Sequence, residues 1–280
     1  MNIPTTSVHS DSQNSTALVE NKLGDLNLYE LTCGSSTVQI AKFGGQIIAG
    51  SIAGRNVFFD NPKLISDKSK AIRSGAPICF PWFNKGLNWK LGREITPSHG
   101  PVRSSDWELC AELITPDSVS IGFQTDTTSH LGLSLRINVD YRLNHGSLKI
   151  EFAIENLSTE KNAFELALHT YFATTCPDSV AISGLKDQAE NPFIPNIPID
   201  QIFENNGDKV TVRLPDYLLE IENQNFSKSV VWHPGLIHNL ADVAQEPSPA
   251  PFLCVESLSN MEEIAGSSRW KSSVTYSVKS

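Results

Sequence analysis

The chain has 280 residues, enough for one large sandwich or two average domains, and for a core that needs no disulfide or metal staple. Apolar residues make up 40%, charged residues 19%, and the formal net charge is −9. This acidic balance excludes general nucleic-acid binding, although a local pair of arginines can still hold an anionic small molecule.

No apolar run approaches the ~20 residues of a membrane span. The opening stretch, MNIPTTSVHSDSQNSTALVENK, has no apolar h-region, so neither a secretory signal nor a membrane partner is expected. Residues 1–22 are rich in Ser, Thr, Asn and Gln and read as a mobile tail. The five cysteines at 33, 79, 110, 176 and 254 never fall in CxxC spacing. They suit free thiols in a reducing compartment, with the cytoplasm as the expected location, and give no zinc-site pattern.

From Leu23 the chain becomes a succession of short alternating segments, read as a single domain over 23–280. AIRSGAPICFPWFNKG, at 71–86, has two prolines in an apolar run and reads as a shaped loop that presents Arg73 before Ser74 and Gly75. SHGPVRSSDWEL, at 98–109, places His99 and Arg103 on either side of a Gly-Pro turn. Arginine recognises phosphate bidentately, so each loop is either an ordinary polar surface or part of an anion pocket.

SVSIGFQTD at 118–126 predicts a strand, and LGLSLRINVDYRL predicts another. In the latter Leu133, Leu135, Ile137, Val139, Tyr141 and Leu143 share a face. Asn144-His145-Gly146 is a tight turn, after which Leu148, Ile150, Phe152 and Ile154 repeat the alternation, making a hairpin. In LALHTYF, at 166–172, Ala167, His169 and Tyr171 share one face and Leu166, Leu168, Thr170 and Phe172 the other. Periodicity leaves His169 as a satisfied core group, a metal ligand or an acid–base catalyst.

FLCVESLSN, at 252–260, puts Phe252, Cys254 and Glu256 together, opposite Leu253 and Val255. A carboxylate in such a strand must be paired or solvated. SSVTYSVKS closes the chain as a further strand. Frequent short strands and little helical periodicity predict a mainly β protein, a large antiparallel β-sandwich.

The ordered set RSGAPICFPWF, HGPVR, LALHTYF, GDKV, VVWHPG and CVE resembles the hexose-6-phosphate mutarotases, the glucose-6-phosphate 1-epimerase branch of the aldose 1-epimerase family. The resemblance runs from about Gly45 to Glu256. It implies a galactose mutarotase-like supersandwich with its site on one concave face, and no metal or organic cofactor. It implies His169 as general acid and Glu256 as general base, with Arg73, His99 and Arg103 at the substrate. It also aligns Asp208, in GDKV, with the aspartate of an Asp-Arg-Val-Tyr segment that binds sugar hydroxyls. For that chemistry His169 should be protonated and Glu256 ionised, a state that an adjacent carboxylate favours.

The motifs also depart from the family pattern. Ser74 replaces a glycine, Pro101-Val102 replace Phe-Ala, Ser98 replaces a glutamine, and Ser257-Leu258 follow the glutamate. The Tyr-x-Asp after Gly184-Leu185 is missing. The implied substrate is a small sugar phosphate, and the protein is expected to act as a monomer. The other readings are a mutarotase of unphosphorylated aldoses and a non-catalytic sugar-binding module on the same sandwich.

Overall fold

Most alternating segments of the sequence form strands, because one face of each is apolar and must be buried. The computed structural model describes residues 15–85, 97–127, 133–186, 188, 191–235, 240, 242–243 and 249–279. A meander opens it: Thr16–Leu23 (β1), Leu26–Cys33 (β2), Ser36–Ala41 (β3), Gln46–Ile52 (β4) and Arg55–Phe58 (β5). Ile78–Cys79 (β6) follows the Arg73 loop. Glu108–Thr115 (β7), Ser118–Asp126 (β8), Leu135–Asn144 (β9) and Ser147–Asn156 (β10) form a second meander. Asn162–Phe164 (β11), Ala167–Leu168 (β12), Tyr171–Ala173 (β13) and Ala181–Ser183 (β14) are short. Then come Ile199–Glu204 (β15), Lys209–Arg213 (β16), Leu218–Gln224 (β17) and Lys228–His233 (β18). Phe252–Leu258 (β19), Glu262–Ile264 (β20) and Arg269–Lys279 (β21) complete the described strands.

All pairings between these strands are antiparallel. One sheet of eleven strands runs β1-β2-β3-β4-β5-β13-β19-β12-β6, with β18 also pairing β19 and β15 pairing β18. A second sheet of eight runs β14-β16-β17-β21-β10-β9-β8-β7. Inward residues of both sheets, among them Val38, Phe172 and Val255 from the first and Val139, Tyr141, Ile150 and Tyr276 from the second, share one core. Each such side chain contributes about 1.5–3 kcal/mol through burial. Among the described residues no helix is long and apolar enough to cross a membrane.

The predicted hairpin is present, with Leu143 opposite Leu148 and Tyr141 opposite Ile150. Asn144 Oδ1 accepts from the backbone N–H groups of Gly146 and Ser147 and so closes the turn.

The expected tail over 1–22 is corrected from Thr16 onward. Thr16–Leu23 pairs along its whole length with Leu26–Cys33. It is an edge strand whose last five residues are exposed, so its composition reads like that of a tail. Residues 1–14 lie outside the described residues.

Candidate active site

The predicted strand at 166–172 is two short strands with a break at His169-Thr170. Alternation survives the break, which is held from three sides. His169 N–H donates to Pro77 O (2.8 Å) and Tyr171 N–H to Gly75 O (2.8 Å), while Thr170 O accepts from Val255 N–H (3.2 Å). Behind it, Thr170 Oγ1 lies 2.7 Å from Tyr276 OH of β21, across the core. The backbone that presents His169 is therefore pinned to the Arg73 loop on one side and to the glutamate strand on the other.

The Arg73 loop is held as tightly. Gly75 adopts φ +60°, and a Cβ there would sit 2.2 Å from Ile47 O, so only glycine fits. Ser74, the departure from the family glycine, has a built place. Its hydroxyl shares one proton between Ile48 O (2.6 Å) and Phe59 O (2.9 Å), and it accepts from Asn61 N–H.

In the second loop, Gly100 (φ +79°) packs so that a Cβ would meet Phe80 O at 1.9 Å. Asn84 and His99 exchange hydrogen bonds, His99 N–H to Asn84 O and Asn84 N–H to His99 Nδ1. Arg103 follows in a single 3-10 turn, Val102–Ser104, and is buried.

These elements bring five of the six expected residues to one face of the larger sheet. His169 Nε2 lies 3.3 Å from Glu256 Oε1, with the glutamate 1% and the histidine side chain 8% exposed. The His99 ring meets the His169 ring edge to face, centroids 5.5 Å apart. Tyr171 stacks on His169 at 4.9 Å, and Trp232 packs against both. Arg73 Nε pairs with Asp242 at 3.3 Å. Arg103 Nε is buried without a hydrogen-bond partner, as are His169 Nδ1 and Glu256 Oε2.

Asp208 is not among them. It lies just before β16 and lines a shallow groove with Lys149, Glu222 and Ser273 on the outer surface of the other sheet. The aspartate facing the pair is Asp200. It stands opposite Trp232, which stands opposite Cys254, and its charge reaches Glu256. Asp200-Gln201-Ile202-Phe203 matches the Asp-x-aliphatic-aromatic pattern better than GDKV does, and it opens an alternating strand. That pattern was the available signal for Asp200. Asp242, which holds Arg73, left no such signal.

The electrostatics also correct the expected charge states. Burial, aided by His99 and Arg103, holds His169 well below the usual imidazole range. Burial pushes Glu256 well above the usual carboxylate range, Asp200 adding to this and Arg103 opposing it. Both shifts favour a neutral carboxyl beside a neutral imidazole, opposite in direction to the expected assignment. The adjacent-carboxylate argument left out both complete burial and two nearby guanidiniums. His99 is pushed down to about 3 by burial, Arg103 and Arg73, and is neutral.

A buried carboxyl–imidazole pair beside a cation, on one face of a large antiparallel sandwich, brings together the two kinds of group that general acid–base chemistry needs. The profile of the aldose 1-epimerase family matches residues 27–196. The chain belongs to that family, whose activity is sugar epimerisation, or mutarotation.

The match extends to particular proteins. A relative from Escherichia coli K12, provisionally named a glucose-6-phosphate 1-epimerase, is 26% identical over 262 residues, 87% of either chain. One from Haemophilus influenzae, with the same provisional name, is 23% identical over 240 residues, 80% of this chain and 82% of the relative. A Salmonella typhimurium protein provisionally designated a mutarotase superposes with TM-score 0.80 at 20% identity over 93% of both chains. The galactose 1-epimerase of Lactobacillus acidophilus does so with TM-score 0.73 at 13% identity, covering 95% of this chain and 98% of its own. The fold is the galactose mutarotase-like sandwich.

Proposed function

We propose that this chain is a hexose-6-phosphate 1-epimerase, interconverting the α and β anomers of glucose 6-phosphate or a similar aldohexose phosphate. The observation behind the reading is the 3.3 Å approach of His169 Nε2 to Glu256 Oε1 on a face that also holds Arg73 and Arg103. Neutral sugars need no cationic clamp, and a buried arginine whose Nε has no partner, such as Arg103, suits an anion. The provisional names of the bacterial relatives support the same substrate class. Free thiols at all five cysteines fit a reducing, cytoplasmic setting.

In the proposed reaction the substrate's phosphate offsets the positive charge of the arginines. That removes part of what keeps His169 neutral, and the shared proton moves from Glu256 to the imidazole. Glu256 then takes the proton from the anomeric O1 hydroxyl while His169 protonates the ring oxygen O5. The C1–O5 bond breaks and an aldehyde forms. Rotation about C1–C2 presents the other carbonyl face, and the reverse transfers close the ring, returning both protons. General acid–base catalysis supplies ~10²–10⁴ of acceleration, and Asp200 and Trp232 are placed to hold the sugar hydroxyls and ring.

One observation favours a second reading. Arg73 is already engaged by Asp242, which leaves Arg103 as the less encumbered cation and suits a mutarotase of unphosphorylated aldoses. Anomer exchange measured by NMR on glucose 6-phosphate, glucose and galactose tests both. Faster exchange on the phosphate is expected; faster exchange on the free sugars favours the second reading. No enhancement on any of the three overturns the proposal.

A further inference from the structure

Cys254 has no part in the chemistry above, yet it lies beside it. Its Sγ, a nitrogen of His169 and an oxygen of Glu256 all fall within 4.8 Å of one another, and all three residues are buried. The spacing has a specific meaning. A tetrahedral Zn(II) with bonds of ~2.0–2.1 Å to nitrogen and oxygen has an N···O edge of about 3.3 Å. His169 Nε2 and Glu256 Oε1 already stand 3.3 Å apart. The sulfur needs an edge of about 3.5 Å, within reach by a side-chain adjustment at Cys254. β19 supplies two of the donors from alternate positions on one face, and the break between β12 and β13 supplies the third.

Two further features say what kind of site this is. Glu256 Oε1 faces His169 while Oε2 is buried with no partner, so the carboxylate has an unsatisfied oxygen and a cation bound to that group would offset its buried charge. His169 Nδ1 also lacks a partner, whereas a histidine of a resident metal centre is almost always oriented through its second nitrogen. The donor set fits a metal, but the supporting shell of a cofactor is missing.

We propose that His169, Cys254 and Glu256 form an inhibitory site for a thiophilic divalent cation of the Zn(II) or Cd(II) class. Nitrogen, sulfur and oxygen donors select such ions over Mg(II) and Ca(II). The cation is bound by three protein ligands, with a fourth position left for water or another small ligand. Binding displaces two protons, one from the thiol and one from the His169–Glu256 pair, leaving thiolate, carboxylate and neutral imidazole on the metal. Both proton-transfer groups are then occupied. The inhibitory consequence rests on the proposed epimerase reading; the metal site does not.

Co(II) titrated into the full chain, with a phosphine reductant and no added thiol, is the test. One equivalent should give a sulfur-to-cobalt charge-transfer band and the intense visible bands of four-coordinate cobalt, and Zn(II) but not Mg(II) should bleach them. Cys254→Ala should weaken binding about 100-fold or more, whereas Cys110→Ser and Cys176→Ser together should leave it unchanged. Absence of the charge-transfer band in the wild type overturns the proposal without recourse to any variant. A band that survives Cys254→Ala overturns it as well. Cys254→Ala should also keep metal-free epimerase activity and lose its inhibition by Zn(II); inhibition that persists counts against the site as the cause. A chain that shows the band but turns over no sugar refutes the epimerase reading and leaves the metal site standing.

Discussion

Glu256 and His169 meet at 3.3 Å, Oε1 to Nε2, and both side chains are almost wholly buried. The contact defines the first prediction. Glu256→Gln keeps size and hydrogen-bonding capacity but cannot take a proton from O1. Turnover should fall by about 10³-fold or more, with affinity for the sugar phosphate changed by less than about threefold. NMR anomer exchange and calorimetric binding measure the two separately. Parallel loss of both would show that the glutamate is structural.

Arg103 is the buried guanidinium with an unpartnered Nε. Arg103→Ala should lower kcat/KM for glucose 6-phosphate by about 100-fold, the scale of losing one partner of a desolvated charge pair. The same variant should change the rate on free glucose by less than about threefold. An equal loss on both sugars contradicts the anion-clamp role.

Asp200 and Asp208 make a paired test of the corrected assignment. Asp200→Asn, on the same face as the acid–base pair, should reduce kcat/KM by about 10-fold or more, as expected for a hydrogen bond to a charged group. Asp208→Asn, on the outer surface of the other sheet, should stay within about twofold. Reversal of these effects would restore the alignment through GDKV.

His99 sets a pH dependence. Its imidazole is pushed down to about 3 from the ordinary 6.5. The unfolded chain therefore binds more protons than the folded one throughout that window, and stability falls as pH drops from 6.5 toward 3. Between pH 6.5 and about 5 the loss from His99 is about 2 kcal/mol. His169 and His233 are depressed by burial too and act in the same direction. His99→Asn tolerates the positive φ of 64° and should flatten the decline of melting temperature between about pH 7 and pH 5. Parallel curves for wild type and variant would refute the assignment.

Gly100 sits where a Cβ would meet Phe80 O at 1.9 Å. Gly100→Ala should destabilise the chain by about 3 kcal/mol or more. It should reduce activity in the surviving folded fraction as well, because His99 and Arg103 leave from that turn. Chemical denaturation with parallel kinetics checks this; an unperturbed midpoint would contradict it.

Much of the fold was legible because its strands have one wet face and one dry face. Leu135 to Leu143 and Leu148 to Ile154 announce their pairing by alternation alone. The edge strand at Thr16–Leu23 did not, since only a little of it is buried and its polar residues look like solvent-exposed coil. His169 and Glu256 were legible as a face assignment, and their motifs named them. Their protonation was not, because it depends first on complete burial and then on charges that arrive from two distant loops. Asp208 was misassigned because a short motif was read without the strand context that favours Asp200.

The hydrogen bond between Thr170 and Tyr276 has an implication for biosynthesis. Every residue assigned to the site precedes position 257, yet the support behind His169 comes from a strand that leaves the ribosome later. A nascent chain lacking β21 would hold the acid, the base and both arginines, with the backbone break tied to the Arg73 loop and to β19 but without its contact across the core. Activity would then report on whether the C-terminal strand has docked, and turnover by stalled or truncated chains would track sheet closure.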